Sequence, residues 1–190
     1  VVTGMIPQAI MDYQMNGRIR GRIGNKDPLM VPHNVYRCVG DDQWVAIAVE
    51  TEDEWSAFCQ AVEHLEWRAD ERFSDAYARH RNEDELDNLI TEWTRDRSPG
   101  EVTTWLQAAG VAAGPVLDPV GVFNNAQLRH RGFFINPDHP EVGPREVMGI
   151  PGVYSAIPEL KIEPAPLLDQ HNEYVFKQLL GLSEGEYQQL

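Results

Sequence analysis

The sequence predicts an α+β fold, in which a small domain built from a β-hairpin and capped helices is followed by a loop-rich tail. Two short runs of β-branched, aromatic and small apolar residues flank a Gly-Asp-Asp turn between residues 35 and 49. Capping signatures then precede runs that carry apolar residues at helical spacing. Proline and glycine become frequent after residue 132, which is typical of loops and short strands.

The first predicted element is a helix between Met5 and Gly17. Ile6, Ile10 and Tyr13 are spaced so that they share one helical face, and Gly17 is a typical stop residue. The glycine- and arginine-rich residues 18–28 follow and are interpreted as an extended connector and turn.

A β-hairpin and a helix form the predicted core. Residues 35–39 and 44–49 pair across the turn, and Thr51 with Glu54 forms a capping box that starts the helix. The spacing of the apolar residues predicts one shared core, which contains Val45, Ile47, Trp55 and Phe58.

Two further helices and a strand complete the middle of the chain. Asn82 with Glu85 is interpreted as the cap of one helix, and Ser98 with Glu101 as the cap of the next. Residues 111–117 then predict a short buried strand.

The tail is predicted to be irregular in its first part and helical at its end. Residues 119–128 indicate a short broken helix, and residues 132–166 indicate loops and short strands. Residues 175–180 predict a helix that stops at Gly181, and Ser183 with Glu186 caps a last short helix.

Composition and charge exclude several functional classes. The chain has 190 residues, with 16 Lys and Arg against 30 Asp and Glu, so its net charge is −14. A polyanionic nucleic acid would be repelled, and no nucleic-acid partner is expected. No apolar run approaches the roughly 20 residues of a membrane-spanning helix, so no membrane partner is expected either. Cys38 and Cys59 stand alone and indicate buried thiols in a reducing compartment, which predicts a cytoplasmic location.

No motif in the sequence matches a known catalytic or metal-binding spacing. The six histidines lack the HxH or HExxH spacing of a metal site, and the GxSxG, GxxxxGKS and GxGxxG motifs are absent. Acidic residues outnumber basic ones 16 to 6 between residues 50 and 101. Because most lie on solvent faces or first turns of predicted helices, they are interpreted as solvated surface rather than paired catalytic acids and bases.

One basic segment departs from this acidic character. Arg18, Arg20, Arg22 and Lys26 would turn three guanidinium groups to one side of an extended chain, where they would hold a phosphate or carboxylate. A solvated or ion-paired strand face explains the same pattern, and both interpretations stay open at this point.

An ordered set of short blocks along almost the whole chain carries a family resemblance. The blocks are Gly24-Asn25 with Pro28 and Pro32, residues 35–38 and 40–48, Trp55 and Phe58, residues 70–73, Arg81-Asn82, residues 110–116, Arg131-Gly132, His139-Pro140, and residues 149–151 and 165–172. In this order the chain resembles the class III CoA-transferases, the CaiB/BaiF family that includes formyl-CoA and carnitine-CoA transferases.

The resemblance implies a domain organisation. Members of the family join a large Rossmann-like domain to a small α+β domain, and two chains interlock as threaded rings. By resemblance, residues 1–23 are a connector from a large domain, residues 24–135 are the small domain, and residues 136–190 return toward the large one. Because the chain opens at Val1 inside a helical region, we expect further residues upstream. The resemblance implies that the longer protein is a homodimer.

The resemblance also implies a reaction. The family moves CoA from an acyl-CoA to a carboxylic acid through an aspartate that forms a mixed anhydride and then a CoA thioester. That aspartate belongs to the half upstream of Val1, so no catalytic residue is predicted in this chain. A CoA thioester and a carboxylic acid are the expected substrates, and no permanently bound cofactor or metal is expected.

The resemblance implies that one loop of this chain faces the active site. It comprises Asn25, Lys26, Asp27, Pro28, Leu29, Met30, Val31 and Pro32. Leu29 and Met30 are expected either as apolar walls of the site or as residues that pack against the hairpin, and both interpretations stay open. Formyl-CoA transferases carry a glycine run at this place. Because that run is missing here, the loop is expected to be stiffer. Asp169 stands where the family's tail commonly has glycine.

Two alternatives remain at the level of sequence. Acyl-CoA racemases of the same family carry a glutamate at the end of the second hairpin strand, where this chain has Thr51. Thr51 cannot exchange a proton with a carbon acid as a carboxylate does, which favours the transferase, although Glu50 is only one position away. A non-enzymatic acidic interaction module would show the same capping boxes and tryptophan-rich helix faces.

Overall fold

The computed structural model describes residues 6–157 and 162–190, which fall into two compact units divided between Val116 and Leu117. The first unit contains the sheet and most of the helices. The second contains short helices and two-residue strands. The boundaries expected from the resemblance, after residues 23 and 135, stay a prediction for the longer protein.

The first unit is mixed α and β, as predicted. Its elements are α1 (Pro7–Asn16), β1 (His33–Arg37), β2 (Trp44–Ala48), α2 (Glu52–Ala61), α3 (Glu66–Ala69), α4 (Ala76–Arg81), α5 (Glu83–Thr94), α6 (Pro99–Ala108) and β3 (Ala112–Val116). The helix that ends at Gly17 is confirmed, since Gly17 adopts the left-handed conformation there and its N–H bonds the carbonyl of Tyr13.

The predicted hairpin is the centre of a three-stranded antiparallel sheet in the order β1-β2-β3. Tyr36 pairs with Val45 and Asn34 pairs with Ile47, so these side chains share the face that packs against the helices. Residues one position away share the opposite face. The strand predicted at 111–117 is present as β3, but it is partly exposed rather than buried, because it forms an edge of the sheet.

Capping boxes begin two helices of this unit. Thr51 accepts the N–H of Glu54, whose carboxylate in turn accepts the N–H of Thr51, and Ser98 with Glu101 does the same for α6. The predicted cap at Asn82 is wrong in one respect. Asn82 occupies the position before α5, but its amide instead donates to the carbonyls of Ala78 and Arg72.

One hydrophobic core joins the sheet to the helices. The four residues predicted to share it, Val45, Ile47, Trp55 and Phe58, are all buried. The indole of Trp55 stacks on Phe58 with ring centroids 5.7 Å apart. The predicted association of the hairpin with α2 is therefore confirmed.

The second unit contains no buried residue among those that the structure describes. Its elements are α7 (Pro119–Phe123), α8 (Ala126–His130), β4 (Phe134–Ile135), β5 (Asp138–His139), β6 (Gly143–Pro144), β7 (Val147–Met148), a π-helical segment (Tyr174–Leu179) and α9 (Glu184–Tyr187). Strand β4 pairs with β7 and β5 pairs with β6. The broken helix, the short strands and the Ser183 capping box are confirmed, while the predicted 175–180 helix has π-type turns.

Candidate functional site

An open groove lies on the face of the sheet that turns away from the core. We call it the sheet groove. It has a volume of about 510 Å³ and is lined by all three strands together with residues 24–26 of the preceding loop. Two of the eight residues predicted to bind substrate, Asn25 and Lys26, therefore lie beside the groove.

The floor of the sheet groove consists of small side chains. Across the strands, Ala48 pairs with Ala112, and Ala46 pairs with Gly114 on one side and Val35 on the other. A Cβ added at Gly114 would meet no atom within 4 Å. Small residues at these positions let a flat or narrow group approach the sheet closely.

The rim of the groove is polar. His33 Nδ1 lies 2.5 Å from the carbonyl oxygen of Asn25, and Asn25 Nδ2 donates to Asn34 Oδ1 at 3.3 Å. Because a carbonyl oxygen only accepts, His33 Nδ1 carries the proton, and in the neutral ring Nε2 is then an acceptor. Together with Lys26, Asn25 and His33 thus give the groove groups that can form hydrogen bonds with a ligand.

A polar network anchors this rim to α5. Asn34 Nδ2 donates to one oxygen of Asp87 at 2.7 Å, and the Tyr36 hydroxyl donates to the other at 2.7 Å. Burial and the nearby Asp87 carboxylate raise the pKa of Tyr36 well above its usual value, so the phenol remains a donor. The network holds the first strand against the helix.

Residues 27–32 of the predicted loop are not among those that line the groove. Asp27 Oδ1 accepts the backbone N–H groups of Leu29 at 2.8 Å and Met30 at 3.1 Å, which hold the pKa of Asp27 below its usual range. Leu29 is 74% exposed, Met30 is half-buried, and Val31 and Pro32 are buried. Of the two predicted apolar walls, Leu29 is therefore the more accessible.

A buried arginine fixes the end of this loop. Arg79 is 1% exposed, and its Nε donates to the carbonyl of Val31 at 3.2 Å, while Nη1 donates to the carbonyl of Phe73 at 3.3 Å. Its Nη1 and Nη2 atoms donate to the two carboxylate oxygens of Glu52 at 3.0 and 2.6 Å. The guanidinium carbon lies 4.8 Å from the centroid of the Trp55 ring. The sequence gives no sign of this role, because Arg79 reads as one of several surface cations on α4.

The basic segment supplies no concentrated positive surface at the groove. Lys26 Nζ lies 2.6 Å from Asp84 and 3.4 Å from Glu83, and the Asp84 hydrogen bond is the main reason that the pKa of Lys26 is raised. Arg20 lies 3.8 Å from Asp12, and residues 18–23 form no regular element. The ion-paired interpretation therefore describes Lys26 and Arg20.

The described residues contain no cluster of three or more potential metal-binding side chains. Both cysteines are buried, and burial raises the pKa of Cys59 to about 12, so its thiol remains protonated and unreactive. Among the described residues, no helix combines the length and apolar character required to cross a membrane.

Sequence comparison connects this geometry to known proteins. The model of CoA-transferase family III matches residues 1–172. A probable CoA-transferase of Mycobacterium tuberculosis is 35% identical over 159 residues, which cover 83% of this chain and 20% of that protein. The succinyl-CoA–D-citramalate CoA-transferase of Chloroflexus aurantiacus is 29% identical, with 97% of this chain and 46% of that protein covered.

Structural comparison gives the same relationship. The crystal structure of a CaiB/BaiF family protein from Brucella suis matches with a TM-score of 0.77 and 25% identity, covering 93% of this chain and 45% of that one. The chain thus spans less than half the length of these relatives. Because the family model covers nine-tenths of its residues, the chain belongs to CoA-transferase family III.

Proposed function

We propose that the protein to which this chain belongs moves CoA from an acyl-CoA to a carboxylic acid. The observation that carries the proposal is the match of the CoA-transferase family III model to residues 1–172. The names of the relatives support it, since they include CoA-transferases that use succinyl-CoA or formyl-CoA.

The proposed chemistry uses an aspartate outside this chain. Its carboxylate attacks the thioester carbonyl, giving a mixed anhydride and releasing CoA thiolate. The thiolate then attacks the aspartyl carbonyl of the anhydride, which gives an aspartyl-CoA thioester and frees the first acid. The incoming carboxylate repeats these two steps in reverse and leaves as its CoA thioester. Covalent catalysis of this kind divides one difficult acyl transfer into easier steps.

This chain contributes the surface that receives the acid. The small floor of the sheet groove accommodates a narrow acyl group, and Asn25 and His33 at its rim orient that group by hydrogen bonds. Leu29 is exposed and supplies a separate apolar contact for the acid in the longer protein. Asp27 holds the turn and Arg79 fixes its far end, which lowers the cost of ordering the loop when substrate binds.

Transfer is proposed rather than racemisation. Thr51 caps α2 through the N–H of Glu54, and the neighbouring Glu50 is exposed, with its own N–H bonded to Glu54. The relatives are named as CoA-transferases as well. The proposal includes a homodimer of the longer protein and a cytoplasmic location, with coenzyme A thioesters as substrates.

The test is an exchange assay with two proteins. A family-length protein that carries this segment is incubated with succinyl-CoA and a panel of carboxylic acids, and new CoA thioesters are measured by chromatography and mass spectrometry. We expect transfer by the family-length protein and none by the 190-residue chain. Turnover by the 190-residue chain would contradict an external nucleophile, and no transfer by the longer protein to any acid would contradict the proposed function.

A further inference from the structure

Three of the four polar side chains that line the sheet groove already donate to protein acceptors. Asn25 and Asn34 each donate an amide N–H to a neighbouring side chain. Lys26 Nζ lies 2.6 Å from Asp84 and 3.4 Å from Glu83, so two carboxylates compensate its positive charge. An anion that enters the groove therefore meets no strong donor among these three side chains that lacks an acceptor.

The fourth polar side chain of the groove, His33, has one ring nitrogen that a ligand can reach. Its Nδ1 donates to the carbonyl of Asn25 at 2.5 Å. Its Nε2 forms no hydrogen bond with the described residues and is not one of their fully buried unpartnered atoms, so a molecule in the groove has access to it. In the neutral ring this nitrogen only accepts a hydrogen bond.

Protonation of His33 changes the groove without breaking the contact that holds the ring. The second proton adds to Nε2, because Nδ1 already carries one, and the hydrogen bond to the carbonyl of Asn25 remains. The groove then gains an N–H donor and a positive charge at the same atom. An imidazole ordinarily gains this proton at about pH 6.5. The side chain thus changes from an acceptor into a charged donor within the physiological range.

We propose that protonated His33 binds the carboxylate of the acid in the sheet groove, so that binding of the acid strengthens as the pH falls. This inference rests on the proposed function and deepens it. A carboxylate oxygen only accepts, so the lone pair of a neutral Nε2 repels it and the N–H of the protonated ring bonds it. Because His33 pairs with Ala48 across the strands, the acyl chain of the bound acid lies over the small floor of the groove.

The charged groups nearest to His33 keep their charge while it titrates. Asp27 interacts electrostatically with His33, and the backbone N–H groups that Asp27 accepts are the main reason that its pKa is lowered. The hydrogen bond to Asp84 is the main reason that the pKa of Lys26 is raised. Neither Asp27 nor Lys26 therefore changes charge between about pH 5.5 and 8. His80 also acts on Asp27 but does not line the sheet groove, and β2 and β3 contribute only apolar side chains to it.

Helix α5 supplies the other acidic groups of this region, and their partners lie elsewhere. Glu83 and Asp84 face Lys26. Asp87 accepts from Asn34, whose side chain points to the face of β1 that packs against the helices. These carboxylates therefore do not take the place of the acid as partners of the imidazole in the groove.

The kinetic test uses the family-length protein and the acid that the exchange assay identifies as its best acceptor. We expect the KM for this acid to be about tenfold lower at about pH 5.5 than at pH 8, as a hydrogen bond between charged groups predicts. In His33→Gln, whose amide donates at every pH, this difference should disappear. His64→Gln is the matched control, because His64 belongs to the first unit but does not line the sheet groove, and it should keep the wild-type difference. The nucleophile and the CoA thiol titrate alike in all three proteins, so a difference between the variants reports His33.

A binding measurement separates the inference from the proposed function. The ring signals of His33 are followed by NMR in the 190-residue chain while butyrate, or its neutral counterpart butyramide, is added, and the His64 signals serve as the reference. We expect butyrate to shift His33 at a roughly tenfold lower concentration at about pH 5.5 than at pH 8, with no such change for butyramide. This result together with no CoA transfer by the family-length protein would contradict the proposed function alone. Equal butyrate binding at both pH values, no shift of His33, an equal shift of His64, or a wild-type pH profile in His33→Gln would overturn the inference.

Discussion

Replacing Arg79 by methionine should destabilise the first unit substantially. The side chain is almost fully buried, donates to two backbone carbonyls, and forks onto Glu52. Methionine keeps much of the volume and the contact with Trp55 but donates no hydrogen bond. The carbonyls of Val31 and Phe73 therefore lose their arginine donors.

The expected magnitude follows from these contacts. An unsatisfied buried polar group costs about 1–3 kcal/mol, and two carbonyls are affected. The Glu52 side chain is 57% exposed, so water hydrates its carboxylate when the arginine is removed. The loss of this ion pair therefore adds only about 1 kcal/mol or less to the destabilisation. Burial of the methionine offsets part of the total, which leaves about 3 kcal/mol. For a unit of this size, that lowers the melting temperature by roughly 10 °C.

The assay is urea and thermal unfolding followed by tryptophan fluorescence and circular dichroism. Arg81→Met is the matched control, since Arg81 is an exposed arginine on the same helix. It should change the free energy of unfolding by about 0.5 kcal/mol or less. If Arg79→Met lies within about 1 kcal/mol of this control, the carbonyl contacts of Arg79 do not stabilise the loop, and the reasoning is refuted.

Four further predictions follow from the described contacts. The Arg79 guanidinium lowers the pKa of Glu52. The wild type should therefore have a larger free energy of unfolding than Glu52→Gln, and this difference should be at its maximum above the ordinary pKa of about 4.3. It should shrink as the pH falls through the lowered value, as urea titrations at several pH values would show. Thr51→Ala should cost about 1 kcal/mol by removing the α2 cap, and an unchanged urea midpoint would contradict this. Cys59 should react with a thiol reagent only in denaturant, because burial raises its pKa to about 12. Leu29→Ala in the family-length protein should change the preference among acids of different size with little change in melting temperature, and the opposite pattern would show a packing role.

Local sequence patterns were sufficient to predict most of the secondary structure. The hairpin follows from two strand-forming runs around a turn, and the capping boxes of Thr51 and Ser98 involve residues three positions apart. Helical spacing also placed Trp55 and Phe58 correctly in the core. Each of these features depends on neighbours within a few turns of chain, so the physical cause is visible in the sequence.

The contacts that shape the candidate site are long-range, and the sequence does not reveal them. Arg79 meets Val31 across 48 positions, and Asp87 meets Asn34 across 53. Asn82 is a similar case at shorter range. Its side-chain amide donates to the carbonyls of Arg72 and Ala78, so it does not form the predicted cap of α5. The alternation of β1 does place His33 and Val35 on one face. That signal was available, but it did not indicate that the face is open.

The absence of buried residues among the described part of the second unit changes how substitutions there should be read. Apolar side chains such as Met148, Val153 and Leu168 are largely exposed, so truncating them removes little packing within the unit. In a mutational scan, polar substitutions of apolar residues in the first unit should register as losses of folding stability. The same substitutions in the second unit should leave the folding of this chain nearly unchanged and appear only in assays of association. Exposed apolar positions of the second unit that tolerate substitution in a stability screen, yet reduce the activity of a family-length protein, would therefore identify any surface of this unit that contacts other protein surfaces.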